Sequence, residues 1–150
     1  MSGLGLSGRV TVIARRKGEE VYRHTTRNRV VASGRNSIRD LLGGIGKPPQ
    51  YIALGTGTTA VSGGGWDGSE ALETEVIRRR FDRVVASDDE VLYEIFIGES
   101  EGNDAGDPDT PLYYTELGLF SGTAWETGSK TSTETRHPLE WGTLIARAWI

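Results

Sequence analysis

The chain has no cysteine, one methionine, two histidines and five prolines in 150 residues. Without cysteine there is no disulfide, no thiolate metal site and no cysteine nucleophile, and thiol usage says nothing about redox compartment. His24 and His137 stand alone, with no second histidine or carboxylate at helical ligand spacing, so they read as surface or hydrogen-bonded side chains and no metal is expected. No apolar run approaches the roughly 18 residues of a membrane span. The start, MSGLGLSGR, lacks the basic-then-apolar build of a secretory signal. A soluble chain with no membrane partner is expected. A net charge of -4 argues against general nucleic-acid binding.

Hydrophobic residues make up 36% of the chain and 21 residues are glycine, a total normal for a globular protein. A domain of this length buries roughly 68–70% of its unfolded surface, enough for a core. Charge is divided unevenly. Arg9 to Arg39 holds nine basic and two acidic residues, whereas Ser87 to Glu116 holds ten acidic residues and no basic one. Such a molecule is electrically polarised, either as two solvated faces or as surfaces through which copies associate, basic against acidic. Arginine outnumbers lysine fourteen to three, a bias that suits bidentate interface pairs and also follows from a GC-rich genome.

Residues 1–8 are glycine- and serine-rich without periodicity, and read as a flexible N-terminal arm before one β-rich domain over 9–150. Arg9 to Arg15 alternates as a strand, Lys17-Gly18-Glu19-Glu20 turns, and Val21 to Thr25 returns as the second strand of a hairpin. Ser33 to Leu42 places Ile38, Leu41 and Leu42 at helical spacing, with Gly43-Gly44 where a left-handed cap belongs. Gln50 to Leu54 is a short strand leading into a glycine-rich loop that reaches Gly68. Glu75 to Ala86 and Glu90 to Gly98 form a long hairpin across Ser87-Asp88-Asp89. Ile77, Phe81 and Val85 share one of its faces with Arg79 and Arg83. Residues 99–111 are acidic loop, Leu112 to Phe120 and Thr143 to Ile150 are further strands, and 121–140 is a polar excursion. At least six strands and one short helix imply an all-β fold, an antiparallel sandwich or barrel-like domain with long loops, because a parallel sheet would need repeated crossover helices.

Strings that carry chemistry elsewhere occur here without their context. Gly3-Leu4-Gly5-Leu6-Ser7-Gly8 matches the dinucleotide fingerprint, but no strand precedes it and a strand follows where a helix is required. Gly98-Glu99-Ser100-Glu101-Gly102 fits a nucleophile elbow, yet the next residues cannot form the helix the elbow needs, and only His137 would remain as a base. Gly43-Gly44-Ile45-Gly46-Lys47 has the wrong glycine spacing for a phosphate loop, and Pro48 stands where a Ser or Thr is needed. Asp104, Asp107 and Asp109 lack EF-hand spacing and its bidentate Glu, which favours a solvated acidic loop over a cation site. Strand alternation sends Arg79 to the face opposite Arg78 and Arg80, so those three form no single nucleic-acid patch. The expectation is no catalytic residue, no cofactor, and a protein that is not an enzyme.

What remains is an ordered set of strings: Arg27-Asn28-Arg29-Val30-Val31, Tyr51-Ile52-Ala53-Leu54-Gly55-Thr56-Gly57-Thr58-Thr59, Leu72-Glu73-Thr74-Glu75-Val76-Ile77-Arg78, Glu116-Leu117-Gly118-Leu119-Phe120 and Leu144-Ile145-Ala146-Arg147. In this order they resemble structural proteins of tailed-bacteriophage virions, and most of all capsid decoration (auxiliary, or cement) proteins. The resemblance covers roughly residues 27–120 and the last strand. It implies a homo-oligomer, a trimer, on the outer surface of the virion head after synthesis in the host cytoplasm, with the major capsid protein as partner. Tail, baseplate and fibre-associated proteins share similar Glu-x-Gly-Leu-Phe endings, and a carbohydrate-binding β-sandwich is the alternative of another class.

A tile in a lattice needs complementary surfaces rather than catalytic groups. Leu4 and Leu6 are candidate apolar anchors on the arm, next to Arg9. Trp125, Trp141 and Trp149 are candidates for an interface or for the core. Glu75 with Arg78, and Glu116 with Arg147, are candidate ion pairs, while Gly55 to Thr59 reads as a tight structural turn.

Overall fold

A computed structural model describes residues 5–57, 71–99, 113–121 and 142–150. The fold is all-β with one short helix, as the strand patterning implies. Its six-stranded antiparallel sheet, curled into a half-barrel, has the order β1-β2-β8-β7-β3-β4, and β5 and β6 form a separate two-stranded sheet. The elements are β1 Gly8–Arg16, β2 Glu19–Val30, α1 Ala32–Leu42, β3 Pro49–Gly55, β4 Glu75–Arg80, β5 Arg83–Ser87, β6 Glu90–Glu94, β7 Glu116–Ser121 and β8 Leu144–Trp149.

The first hairpin turns at Lys17 and Gly18 alone, with φ of 52° and 83°, two consecutive positive values that match the right-handed twist of the flanking strands. β2 continues to Val30, past the expected end at Thr25, because its last residues Arg29 and Val30 pair with Arg147 and Ala146 of β8. The rest of the β1–β2 ribbon extends beyond that short junction. Gly8, expected in the arm, pairs with Asn28 as the first residue of β1.

α1 has no side-chain cap at Val31. Its start is held by tertiary contacts instead: Val31 N–H donates to the Ile145 carbonyl at 3.0 Å and Ser33 Oγ donates to the Leu144 carbonyl at 2.7 Å. Ile145 is the extra residue of a bulge, since Phe120 pairs with Leu144 and Leu119 with Ala146, which frees its carbonyl to turn toward the helix. Gly34 packs against that carbonyl so closely that a Cβ would lie 2.0 Å from the oxygen. At the other end the left-handed residue is Gly44, φ 73°, while Gly43 stays right-handed.

The expected long hairpin over 75–98 is divided, which corrects that reading. β4 pairs with β3, and β5 pairs with β6. The chain changes partner at Asp82, whose N–H donates to the Glu94 carbonyl at 2.8 Å and whose carboxylate accepts from Phe96 N–H at 2.6 Å. Phe81 packs on Tyr93 with ring centroids 4.6 Å apart. A second bulge sits in β4, where Gly55 pairs with Glu75 and Leu54 with Ile77, leaving Val76 extra. It reverses the alternation, so that Glu75, Arg78 and Arg80 share the face of Gly55, Ala53 and Tyr51.

That face holds the core. Val31, Tyr51, Ala53, Leu72, Phe120 and Leu144 are buried together. Ala53 and Gly118 are opposite one another, and their small size lets the Arg78 guanidinium lie 3.6 Å above the centroid of the Phe120 ring.

Two outcomes are expected. Gly34→Ala forces backbone to move and lowers stability by about 1–3 kcal/mol, measurable as a lower urea midpoint with unchanged slope. Burial raises the Tyr93 phenol above its ordinary value. Because the folded state favours the neutral phenol, stability falls as pH rises from the ordinary tyrosine range through the folded value. Tyr93→Phe flattens that alkaline loss in a pH series of thermal melts.

Candidate functional site

Four of the five strings singled out in the sequence meet at the carboxylate of Glu116, the first residue of β7. It is fully buried, and all its acceptor positions are engaged. Oε1 accepts from Thr74 N–H at 2.8 Å and Gly57 N–H at 3.2 Å, while Oε2 accepts from Glu73 N–H at 3.0 Å and Arg147 Nη2 at 2.6 Å. A carboxylate offers about four lone-pair sites, so this one is saturated by three backbone donors and one guanidinium.

Glycine is required around it. A Cβ on Gly55 would lie 2.5 Å from Glu116 Oε1 and 2.4 Å from the Thr74 carbonyl, and one on Gly57 would lie 2.7 Å from the same carboxylate oxygen. The Gly55-Thr56-Gly57 string thus makes room for a buried anion and presents backbone N–H to it. Thr56 N–H also donates to the Thr74 carbonyl at 2.9 Å, and the Thr115 hydroxyl donates to the Gly57 carbonyl. One carboxylate thus holds Gly57 and Glu73-Thr74, which lie on either side of residues 58–70 in the sequence.

Beside it lies a second buried pair. Arg78 donates to Glu75 from Nη2 at 2.6 Å and from Nε at 3.2 Å, with both side chains almost wholly excluded from water. Both candidate ion pairs therefore form within one chain. Burying two charges costs several kcal/mol per ion after relaxation, and the geometry must offset it. For Glu116 the offset comes from four charge-assisted hydrogen bonds, and for Arg78 from the fork on Glu75 and the Phe120 face.

Chemically, a carboxylate whose lone pairs are committed to backbone donors has none left to accept a substrate proton. The knot ties Gly57, Glu73 and Thr74 to β7 and to the last strand. It is structural work.

The other predicted residues lie apart from this knot. Leu6 is 54% exposed and borders a shallow cleft of about 430 Å³ with Arg27, Asn28, Arg29, Val30 and Arg35. Arg9 is exposed on β1, and Trp149 is half-buried on β8 opposite Glu116. Leu4, Trp125 and Trp141 lie outside the described residues, as do Ser100, His137, Asp104, Asp107 and Asp109. His24 stacks on Tyr22 with centroids 6.5 Å apart. Among the described residues no three His, Asp or Glu side chains could hold a metal ion, and no helix is long and apolar enough to cross a membrane. Gly43 to Lys47 follows the end of α1, whereas a phosphate loop precedes a helix.

Two surfaces went unnoticed in the sequence. The β1–β2 ribbon is exposed on one face along its length and on both faces toward its turn, with Ile13, Val21 and Tyr22 exposed, and the β5–β6 hairpin exposes Val84, Val85, Val91 and Leu92. The signal was present in the alternation of these strands, which has a valine or isoleucine on each face and so no polar side.

Glu116→Ala leaves Arg147 buried without its carboxylate and orphans three N–H groups, at an expected cost of about 3–5 kcal/mol. Arg147→Met costs less, because the carboxylate keeps its three backbone donors. Urea denaturation of the two variants reads the difference, and equal losses would deny the backbone donors their share.

Compared with protein-family models, with curated proteins and with solved structures, the chain matches none.

Proposed function

We propose that this protein works by assembly: it is a structural subunit of a tailed-phage virion that decorates the capsid and stabilises it by bridging capsid subunits as a homotrimer. The observation that carries the assembly reading is the placement of its surfaces. The buried Glu116 and Arg78 clusters are engaged in holding the chain, while exposed apolar side chains stand on two hairpins, Ile13, Val21 and Tyr22 on one and Val85, Val91 and Leu92 on the other, and also at Leu42, Ile45, Phe96 and Tyr113. Apolar side chains grouped on hairpins suit contact with other subunits. The placement on the head, with the major capsid protein as partner, is supported by the resemblance of the strings that meet at Glu116.

Neither a catalytic activity nor a cofactor forms part of this reading. The arm supplies a second point of attachment: Leu6 is exposed beside the base of the ribbon, and seven residues of extended chain reach roughly 23–25 Å, far enough to lie on a neighbour.

Purified protein mixed with undecorated heads is expected to co-sediment saturably and to raise the temperature at which the heads release DNA. Absence of binding, with antibody labelling on tails by electron microscopy, would transfer the protein to the tail or baseplate. Deleting residues 2–7, which spares Gly8 of β1, is expected to weaken attachment while the domain stays folded by circular dichroism. Unchanged head stability in that deletion would remove the arm.

A further inference from the structure

We propose that the β1–β2 ribbon of one copy docks on the β5–β6 hairpin of a second copy, head to tail. This rests on the assembly reading above and names the surfaces it would use.

The ribbon is incomplete as a free element. Of β2 only Arg29 and Val30 pair with β8, so among the described residues Gly8 to Asn28 stand as two strands with β1 at the sheet edge. Two-stranded ribbons are marginal alone in water. One face carries the cross-strand pairs Arg9–Arg27, Thr11–Thr25 and Ile13–Arg23, and all six residues are exposed. Arg9 directly opposite Arg27 sets like charges side by side, which is unfavourable in the isolated strand pair and is relieved by an anionic surface laid across it. Ile13, 40% exposed, is the apolar centre of that face.

The β5–β6 hairpin has the complementary face. Val85 pairs with Leu92 at its centre, exposed 38% and 50%, with Ser87–Glu90 on one side and Arg83–Glu94 on the other. Asp88 and Asp89 form its tip. Residues 8–30 hold seven basic and two acidic residues, a net +5, and the hairpin over residues 83–94 holds one basic and four acidic, a net -3. Some of this charge is matched within the chain, since Arg23 donates to Glu20 at 2.7 Å and Arg83 to Glu94 at 2.9 Å. The charges that meet across the contact are thus Arg9 and Arg27 on the ribbon and Asp89 and Glu90 on the hairpin, beside apolar side chains on both, on hairpins of opposite net charge. Charge complementarity of this kind fixes partner and register.

The two surfaces lie off opposite ends of the strand order, β1 at one end and β5–β6 following β4 at the other. Contact between unlike patches is heterologous, so every copy offers one donor and one acceptor surface, and the chain of contacts ends only by closing into a ring.

The test uses purified full-length protein in sedimentation equilibrium and native mass spectrometry, without heads. Arg9→Glu with Arg27→Glu, and separately Asp89→Arg with Glu90→Arg, are each expected to weaken self-association at least about tenfold. The chain carrying all four changes is expected to regain it, since the signs are exchanged on both sides. Circular dichroism confirms folding. Should a pair variant not fold, wild-type protein taken from about 0.05 M to about 0.5 M salt is expected to dissociate instead, as the Debye length shrinks.

A wild-type protein that stays monomeric at low salt overturns the proposal. So does a four-residue variant as dissociated as its parents, or an oligomer indifferent to both pairs and to salt. Duplex DNA bound by wild type and released by the ribbon variant alone would give the ribbon a nucleic-acid partner and overturn it as well. An oligomer that ignores heads would sink the decoration reading and leave this one standing. A monomer that binds heads would do the reverse.

Discussion

A buried carboxylate that must find four donors constrains most of this structure. Glu116 heads β7, and once its side chain turns inward it can be held only where backbone N–H groups and a guanidinium converge. That requirement explains features that otherwise look unrelated. Gly55 and Gly57 carry no side chain because a Cβ would collide with the carboxylate. Glu73 and Thr74 lie beside them because their N–H groups are needed. Arg147 sits on β8, two residues from the position directly opposite Glu116, and reaches it along the strand face. The arrangement gives the sheet a fixed register at its centre, since sliding β7 by one residue would swing the carboxylate to the other face and leave Arg147 behind.

Much of this is legible in the sequence. The strand at 8–16 follows the alternation of its residues, and the strands expected over 50–54, 112–120 and 143–150 lie at 49–55, 116–121 and 144–149, β7 starting later than expected; the two ion pairs were candidates from the charges in the strings. Less legible were the places where alternation breaks. Val76 and Ile145 are β-branched residues with ordinary strand propensity, and nothing local marks them as the extra residues of bulges. A bulge is set by what the neighbouring strand must match. The division of the 75–98 hairpin was hidden for a similar reason: Phe81 suits a strand, and Asp82, a poor strand former, is the only local sign of the change of partner. The convergence of Gly57, Glu73 and Glu116 was invisible because it joins residues 43 or more positions apart.

The burial of charge also bears on how the chain can act. A catalytic carboxylate needs an open lone pair and a solvent or substrate path, whereas Glu116 has neither an unfilled acceptor position nor exposed surface. Its energy goes into geometry: it holds Gly57 beside Glu73 and Thr74 and anchors the strand that carries Arg147. A rigid centre of this kind suits a subunit whose edges make contacts, because edge positions then transmit load to a core that does not slide.

The polarity of those edges decides what sort of assembly can follow. A two-fold dimer needs a patch that complements itself, and neither hairpin does: ribbon against ribbon would bring Arg9 and Arg27 onto their own copies, and hairpin against hairpin would bring Glu90 and Asp89 onto theirs. Repulsion between like charges works against both. The proposed unlike pairing satisfies both surfaces. Repeated from copy to copy, it generates rotation by the same angle at each step, and a small closed number of subunits results when that angle divides the circle. The curl of the six-stranded sheet, which turns one end relative to the other, is the structural source of such an angle. A ring built this way leaves no ribbon or hairpin unpaired, whereas any open form leaves one of each exposed at its ends.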